Sequence, residues 1–175
     1  MKKFLIDYMR YRKKPFGAIA LIDILRSKQL LYIFLGRLSA ESSNKVLKKL
    51  GGGSAQLIGR SMGNEISFNN IGEGLLLSHA YCITVNSGAH IGKNVTLFKG
   101  ATIGSIRGGK LNGTPIIGDN VTVCSNAIVC GKIKIGNNVL IAANAFVNFD
   151  VPDDSVVIGN PGVIHHKENP SQYYL

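Results

Sequence analysis

The stretch 117-IGDNVTVCSNAIVCGKIKIGNNVLIAANAFVNFDVP-152 decides the fold. An apolar residue stands at Ile117, Val123, Val129, Ile135, Ile141 and Val147, six residues apart throughout. That period fits neither a lone helix, at about 3.6, nor a strand, at about 2. It fits a short strand and a turn, repeated, with one inward side chain per side of a coil. Repeats of this kind mark a parallel β-helix. A second run, Val85, Ile91, Leu97 and Ile103, keeps the period but is out of step by two residues. Another slip of two separates Leu77 from Val85. Each slip predicts a bulge or a departing loop. The later one coincides with Ser105–Pro115, SIRGGKLNGTP, a loop by its Gly, Pro and polar content. Loops that leave a regular scaffold are where function concentrates.

Ile-Gly recurs at 71–72, 91–92, 103–104, 117–118 and 135–136. Polar turn residues follow, as in Gly118-Asp119-Asn120 and Gly136-Asn137-Asn138, and such residues tolerate positive φ at sharp corners. At three hexads per coil, residues 71–162 make about five coils, near the minimum for a stable stack. Bare ends and flat faces invite cover, from N-terminal helices at one end and from self-association on a face.

The composition agrees: 45% apolar, only 7% aromatic, no Trp and 21 Gly among 175 residues. A thin coil filled by Val, Ile and Ala needs few rings. The formal charge of +10 is uneven. Residues 1–50 hold 12 Lys/Arg against three acids, a net +9, and residues 51–175 hold eight against seven. Residues 1–50 therefore read as a basic, amphipathic helical segment, broken near Ser27, able to approach an anionic membrane surface. No uncharged run reaches the roughly 18 residues of a spanning helix, and no signal-peptide core forms. Residues 51–65, opening on Gly51-Gly52-Gly53-Ser54, read as a flexible connector. No GK[ST] follows, so they are not a phosphate loop. The β-helix covers 66–165 and a tail covers 166–175. Cys82, Cys124 and Cys130 include no CxxC and read as reduced thiols of a cytoplasmic protein. No partner of suitable spacing accompanies His90 or His165-His166, so no metal site is expected.

Ile71-Gly72-Glu73-Gly74-Leu75, Ser78-His79-Ala80, Val95-Thr96-Leu97-Phe98-Lys99-Gly100-Ala101-Thr102-Ile103-Gly104 and the ending Val151-Pro152 with Gly159-Asn160-Pro161-Gly162-Val163-Ile164 carry a resemblance. Over about residues 64–167 the chain resembles the left-handed β-helix (hexapeptide-repeat) acyltransferases. The likeness is to the serine acetyltransferase branch and its relatives in polysaccharide biosynthesis. It implies an all-β, left-handed parallel β-helix with short N-terminal helices. It also implies transfer of acetyl from acetyl-CoA to a hydroxyl, without metal, in a homotrimer with active sites between subunits. The expected location is the cytoplasm, peripheral at the inner face of the membrane if residues 1–50 bind lipid. No nucleic-acid partner is expected.

His79 matches the family's general base. Imidazole suits the role because its ordinary pKa is close to neutral. His79 also falls six residues before Val85, where an apolar side chain is due. In the family a carboxylate one coil earlier orients the base. Counting back without a gap gives Asn64, and a one-residue deletion before Ile71 gives Glu65. Positions matching the CoA groove are Ser105, Ser125 and Ala143, with Lys167 near the nucleotide phosphates and Gly104 as an oxyanion contact.

Ser78, Thr114 and Asn64 are the positions expected to meet the acceptor. Two departures bear on its identity. Serine acetyltransferases carry Asp where Ser78 stands, and an Arg-His pair where Gly113-Thr114 stand. The charges that clamp a free amino acid are missing there, although Arg107 or Lys110 could substitute, so the acceptor expected is a sugar or polysaccharide precursor. Serine is the alternative, and a non-catalytic, membrane-associated scaffold is a third reading. A carbonic-anhydrase-like metalloenzyme on this fold is disfavoured, because the 11 residues between His79 and His90 match neither hexad nor coil.

Overall fold

The computed structural model describes residues 1–17 and 19–174; residue 18 of the helical segment and residue 175 of the tail lie outside it. Four helices come first: α1 (Lys2–Arg12), α2 (Ala20–Arg26), α3 (Lys28–Glu41) and α4 (Lys45–Met62). Strands follow: β1 (Glu65–Ile66), β2 (Leu76–Ser78), β3 (Thr84–Val85), β4 (His90–Ile91), β5 (Thr96–Phe98), β6 (Thr102–Gly104) and β7 (Ile116–Ile117). Then come β8 (Thr122–Val123), β9 (Ile128–Cys130), β10 (Lys134–Ile135), β11 (Val139–Ile141), β12 (Phe146–Val147), β13 (Ser155–Ile158) and β14 (Val163–His166). Strands of successive coils stack in parallel as β1-β3-β6-β9-β12, β4-β7-β10 and β2-β5-β8-β11-β13, and β14 closes the last sheet antiparallel. This is the expected left-handed parallel β-helix of about five coils.

The hexad residues Ile117 through Val147 all point inward and are buried. The structure adds a second inward residue per side, which the expectation of one omitted: Val121, Ala127, Ile133, Val139 and Ala145 are buried as well. Small side chains at 127 and 145 let the narrow coil close. Asn94, Asn120, Asn138 and Asp154 occupy corners at φ between 52 and 57°. Each Asn donates from Nδ2 to the next carboxamide or carboxylate oxygen, at 3.2–3.3 Å. The turn residues thus tie coil to coil.

Three of the twelve N-terminal cations, Lys3, Arg10 and Arg37, and the acid Asp7 are spent on this architecture. The first coil of a solenoid presents unpaired backbone groups. Lys3 Nζ and Arg37 Nη1 both donate to the Ile71 carbonyl at 2.8 Å, and Arg37 Nη2 donates to Gly72 O at 2.6 Å. Asp7 Oδ1 accepts from Leu75 N at 2.8 Å. Arg10 donates to the carbonyls of Gly74 and Val95. These side chains of α1 and α3 therefore cap the coil, giving its bare end the cover that the sequence reading looked for in N-terminal helices. The break at Ser27 is as expected, with its hydroxyl accepting from Leu30 N at the start of α3.

The Gly-rich segment differs from expectation. Gly51–Ser54 lies inside α4, which runs unbroken to Met62 and ends at Gly63 with φ 67°. The physical reason is close packing. A Cβ on Gly51 would come within 3.0 Å of the Leu35 carbonyl of α3, and one on Gly59 within 2.9 Å of the Tyr32 ring. The glycines buy proximity between two helices rather than flexibility. At the other end the tail returns across the third sheet. Ser171 Oγ donates to Val139 O at 2.8 Å, and the Tyr174 carbonyl accepts from Thr96 Oγ1 at 3.0 Å and Arg10 Nη2 at 2.9 Å.

Candidate active site

The first slip in the repeat builds the site. Leu77 to Val85 takes eight residues, where Leu97 to Ile103 takes six, although both pairs join the same two sheets. The two extra residues form a corner at 79–82, with His79 at φ 49° and Cys82 at φ 56°. Leu77, Ala80 and Ile83 fill the interior beneath it. His79 therefore does not occupy the inward slot that gapless counting gave it; it is exposed. It lies in a cleft of about 490 Å³ with Tyr11, Gln29 and Met62 in its walls. Gln29 Nε2 donates to the Leu77 carbonyl there, fixing α3 against the corner.

Asn64 holds the corner shut. It is 4% exposed; its Nδ2 donates to Ala80 O and its Oδ1 accepts from Ile83 N, both at 2.9 Å. With its carboxamide so engaged, Asn64 supports the corner from within rather than facing a ligand. Ile66 and Ile71 are five residues apart where Val85 and Ile91 are six, so the one-residue deletion is real. Glu65 pairs with Thr84, and its N–H donates to Ile83 O at 2.9 Å. Its carboxylate is exposed on the coil before the His79 corner. Glu65 opens onto a second cavity, of about 590 Å³, between α3, α4 and the first strands, walled also by Arg60, Ser67, Thr84 and Asn86. Tyr32 lines it too, its phenol pushed up to about 12 by burial. Among the described residues no side-chain hydrogen bond joins Glu65 to His79, and within one chain they face different concavities.

Register orders the remaining positions. Leu77, Leu97, Val123, Ile141 and Val157 are stacked partners. Two residues on, Lys99, Ser125, Ala143 and Gly159 share one edge of the solenoid, and His79 opens the enlarged corner at its head, where the backbone ladder takes up Tyr81. Backbone bonds run along it, from Gly100 N to Tyr81 O, Asn126 N to Lys99 O and Asn144 N to Ser125 O, each 3.0 Å. At about 4.8 Å per coil, Ser125 lies roughly 10 Å and Ala143 about 14 Å along the edge from His79. The sequence reading missed Lys99, an exposed cation on the same row. Its signal was present, since it follows inward Leu97 by two as Ser125 follows Val123.

Ser105 departs from the expected groove row. It stands two residues past Ile103, whose partners are Val85 and Val129, and so on the opposite edge of the first sheet. Gly104 pairs with Cys130 beside it. Lys167 is also apart: its N–H donates to Asp154 O at 2.9 Å, at the far end of β13 from Gly159. Ser78 ends β2 directly before His79. The 105–115 loop is a small flap in which Ile106 and Gly113 exchange backbone bonds at 3.0 Å. Lys132 N donates to Leu111 O at 2.9 Å, which pins the flap to the coil. Thr114 Oγ1 donates to Gly88 O at 2.8 Å and so anchors the stem of the flap. Among the described residues no group of three His, Cys, Asp or Glu is placed to hold a metal, and no helix is long and apolar enough to cross a membrane.

Residues 114–148 match the bacterial transferase hexapeptide (six repeats) model. A serine acetyltransferase of Staphylococcus aureus strain Mu50 is 43% identical over 96 residues, 54% of this chain and 44% of that protein. One from Staphylococcus epidermidis is 38% identical over 98 residues, 56% of this chain and 46% of that protein. The chain thus spans less than half the length of these relatives. The crystal structure of Neisseria gonorrhoeae serine acetyltransferase superposes with a TM-score of 0.76 at 27% identity, covering 95% of this chain and 65% of that one. Soybean serine acetyltransferase complexed with serine gives 0.76 at 25%, covering 94% and 68%. A serine acetyltransferase in complex with CoA gives 0.71 at 22%, covering 94% and 68%, and speaks for the fold alone. The protein is a left-handed β-helix that carries, over residues 114–148, the hexapeptide repeat of bacterial transferases and is similar in sequence and fold to serine acetyltransferases.

Proposed function

We propose that this protein is an acetyl-CoA-dependent O-acetyltransferase. The observation that carries it is the shared edge on which His79 heads a row continued by Lys99, Ser125 and Ala143. His79 Nε2 or Nδ1 takes the proton of an acceptor hydroxyl while its oxygen attacks the thioester carbonyl of acetyl-CoA. The tetrahedral oxyanion then collapses to the acetyl ester and the CoA thiolate, which regains a proton from the imidazolium. The Gly104 backbone is the proposed oxyanion contact. Glu65 is the proposed carboxylate partner of the imidazolium, the role an acid plays beside a catalytic His.

Small residues at 125 and 143 leave room for a pantetheine arm along the row; Lys99 stands one coil from His79 and Lys167 on another edge, so neither marks the end of the row where its phosphates would lie. Ser105 lies on the opposite edge of the same sheet. A trimer with sites between subunits would set one subunit's His79 edge against a neighbour's loop edge, which accounts for functional positions divided between two edges.

The acceptor that the relatives support best is serine, since the similar proteins are serine acetyltransferases. A polyol acceptor remains as the second reading, on one specific observation: Ser78 and Gly113-Thr114 supply no charge, and the Thr114 hydroxyl is engaged by Gly88. The sugar expectation rests on that absence alone. Thiol release from acetyl-CoA, measured with serine and with a panel of neutral sugars, tests both. Release with neither acceptor class, under conditions where the protein is folded, would overturn the enzymatic assignment.

A further inference from the structure

The helix α4 is built inside out. Its buried side is Gly51, Ala55 and Gly59, four residues apart, which bring it close to α3. Its large apolar side chains point away from the protein: Val46 is 65% exposed, Leu50 63% and Leu57 67%. Val46, Leu50 and Leu57 follow one face, a ridge of roughly 16 Å at 1.5 Å per residue. A helix whose only partner were the protein core would turn its leucines inward.

The charge around the ridge is of one sign. Lys45, Lys48, Lys49 and Arg60 belong to α4, which contains no acid. The three acids of residues 1–64 are engaged elsewhere: Asp7 with Arg37, Asp23 with Arg12, and Glu41 with the N-terminal amine. None of the four cations of α4 takes part in an ion pair among the described residues. A second copy packed ridge to ridge would set these cations against their equals with no acid between them. A nucleic acid would meet the cations and leave the leucines in water. An anionic phospholipid surface satisfies both, with phosphates for the cations and the headgroup–acyl boundary for the ridge.

We propose that α4 is an interfacial helix that seats the protein on an anionic phospholipid surface through Val46, Leu50 and Leu57. The test is sedimentation of the full-length protein with vesicles of phosphatidylcholine alone and of phosphatidylcholine with phosphatidylglycerol. The protein sediments with the anionic vesicles only, and high salt releases it. Leu50→Ser with Leu57→Ser weakens binding at least about tenfold, as the loss of two buried leucines requires. Both side chains are exposed, so the thermal transition and thiol release of this variant match the parent. Lys45→Glu with Lys49→Glu, which keeps the ridge, weakens binding comparably. Three results would overturn the proposal: no binding to anionic vesicles, binding indifferent to the leucine pair, or a doubling of solution mass that the leucine pair abolishes without lipid. The last would assign the ridge to a second copy of the chain.

Discussion

The Arg37 guanidinium meets the Asp7 carboxylate with Nε 2.7 Å from Oδ2, and neither side chain is more than 1% exposed. Burial pushes the Asp7 carboxyl above its usual range, while Arg37 pulls it back. A raised native value means that the folded chain holds this proton more tightly than the unfolded one. Acidification through the ordinary carboxylate range therefore costs no stability through Asp7. Removing a partner is different. Asp7→Asn or Arg37→Met leaves a buried charge uncompensated and backbone groups of the first coil unmet. Each should lower stability by about 3–5 kcal/mol in a denaturant titration, and the double variant should lose less than the sum.

His79 and Asn64 separate the proposed chemistry from its support. His79→Ala should lower kcat by about 10² to 10⁴, with little change in the KM for acetyl-CoA and none in thermal stability. Asn64→Ala removes two buried hydrogen bonds and should lower stability by about 1–3 kcal/mol, together with kcat. A His79→Ala protein with parental turnover would remove His79 from the mechanism.

The solenoid was legible because its period is written in side chains that have nowhere else to go. Ile117 through Val147 repeat because each fills the same narrow coil. The insertions could be found as slips in that ruler, but not what they do in space. The slip at 77–85 turned His79 outward, since the added residues make a corner that Ala80 and Ile83 fill. Ser105 looked like Ser125 because both follow an inward residue by two. They lie on different edges because Ile103 belongs to the first sheet and Val123 to the third, and the hexad phase does not say which side of the coil a residue is on. The glycines of α4 read as a flexible connector because glycine's freedom is a local property, while their use here depends on a neighbouring helix whose Leu35 carbonyl would stand 3.0 Å from a Cβ at Gly51.

Two glycines of one helix should answer oppositely to the same change. At Gly59 a methyl group would meet the Tyr32 ring at 2.9 Å and the Asn64 carbonyl at 3.0 Å. Gly59→Ala should cost about 1–3 kcal/mol and, by moving Asn64, reduce turnover as well. At Gly53 nothing lies within 4 Å. Gly53→Ala should stabilise by about 0.5–1 kcal/mol, read as a raised Tm with unchanged activity.

The cysteines should label in two classes. Cys82 is exposed at the corner. Burial pushes the Cys124 and Cys130 thiols above their usual value, which lowers their thiolate fraction near neutral pH. With iodoacetamide at neutral pH, Cys82 should react first by mass spectrometry. Cys124 and Cys130 should follow as pH rises beyond the ordinary thiol range.

An open stack of coils frays from its ends, because a terminal repeat has only one neighbour. Here Arg10 bonds the first coil's Gly74 carbonyl and the C-terminal tail's Tyr174 carbonyl with one guanidinium. The tail is thereby a strap along the third sheet, bonded to Val139 through Ser171 and to Thr96 and Arg10 through Tyr174, which ties distant coils to one another. Amide exchange should be as slow in β2 and β13 as in β8, and the whole length should melt in one step.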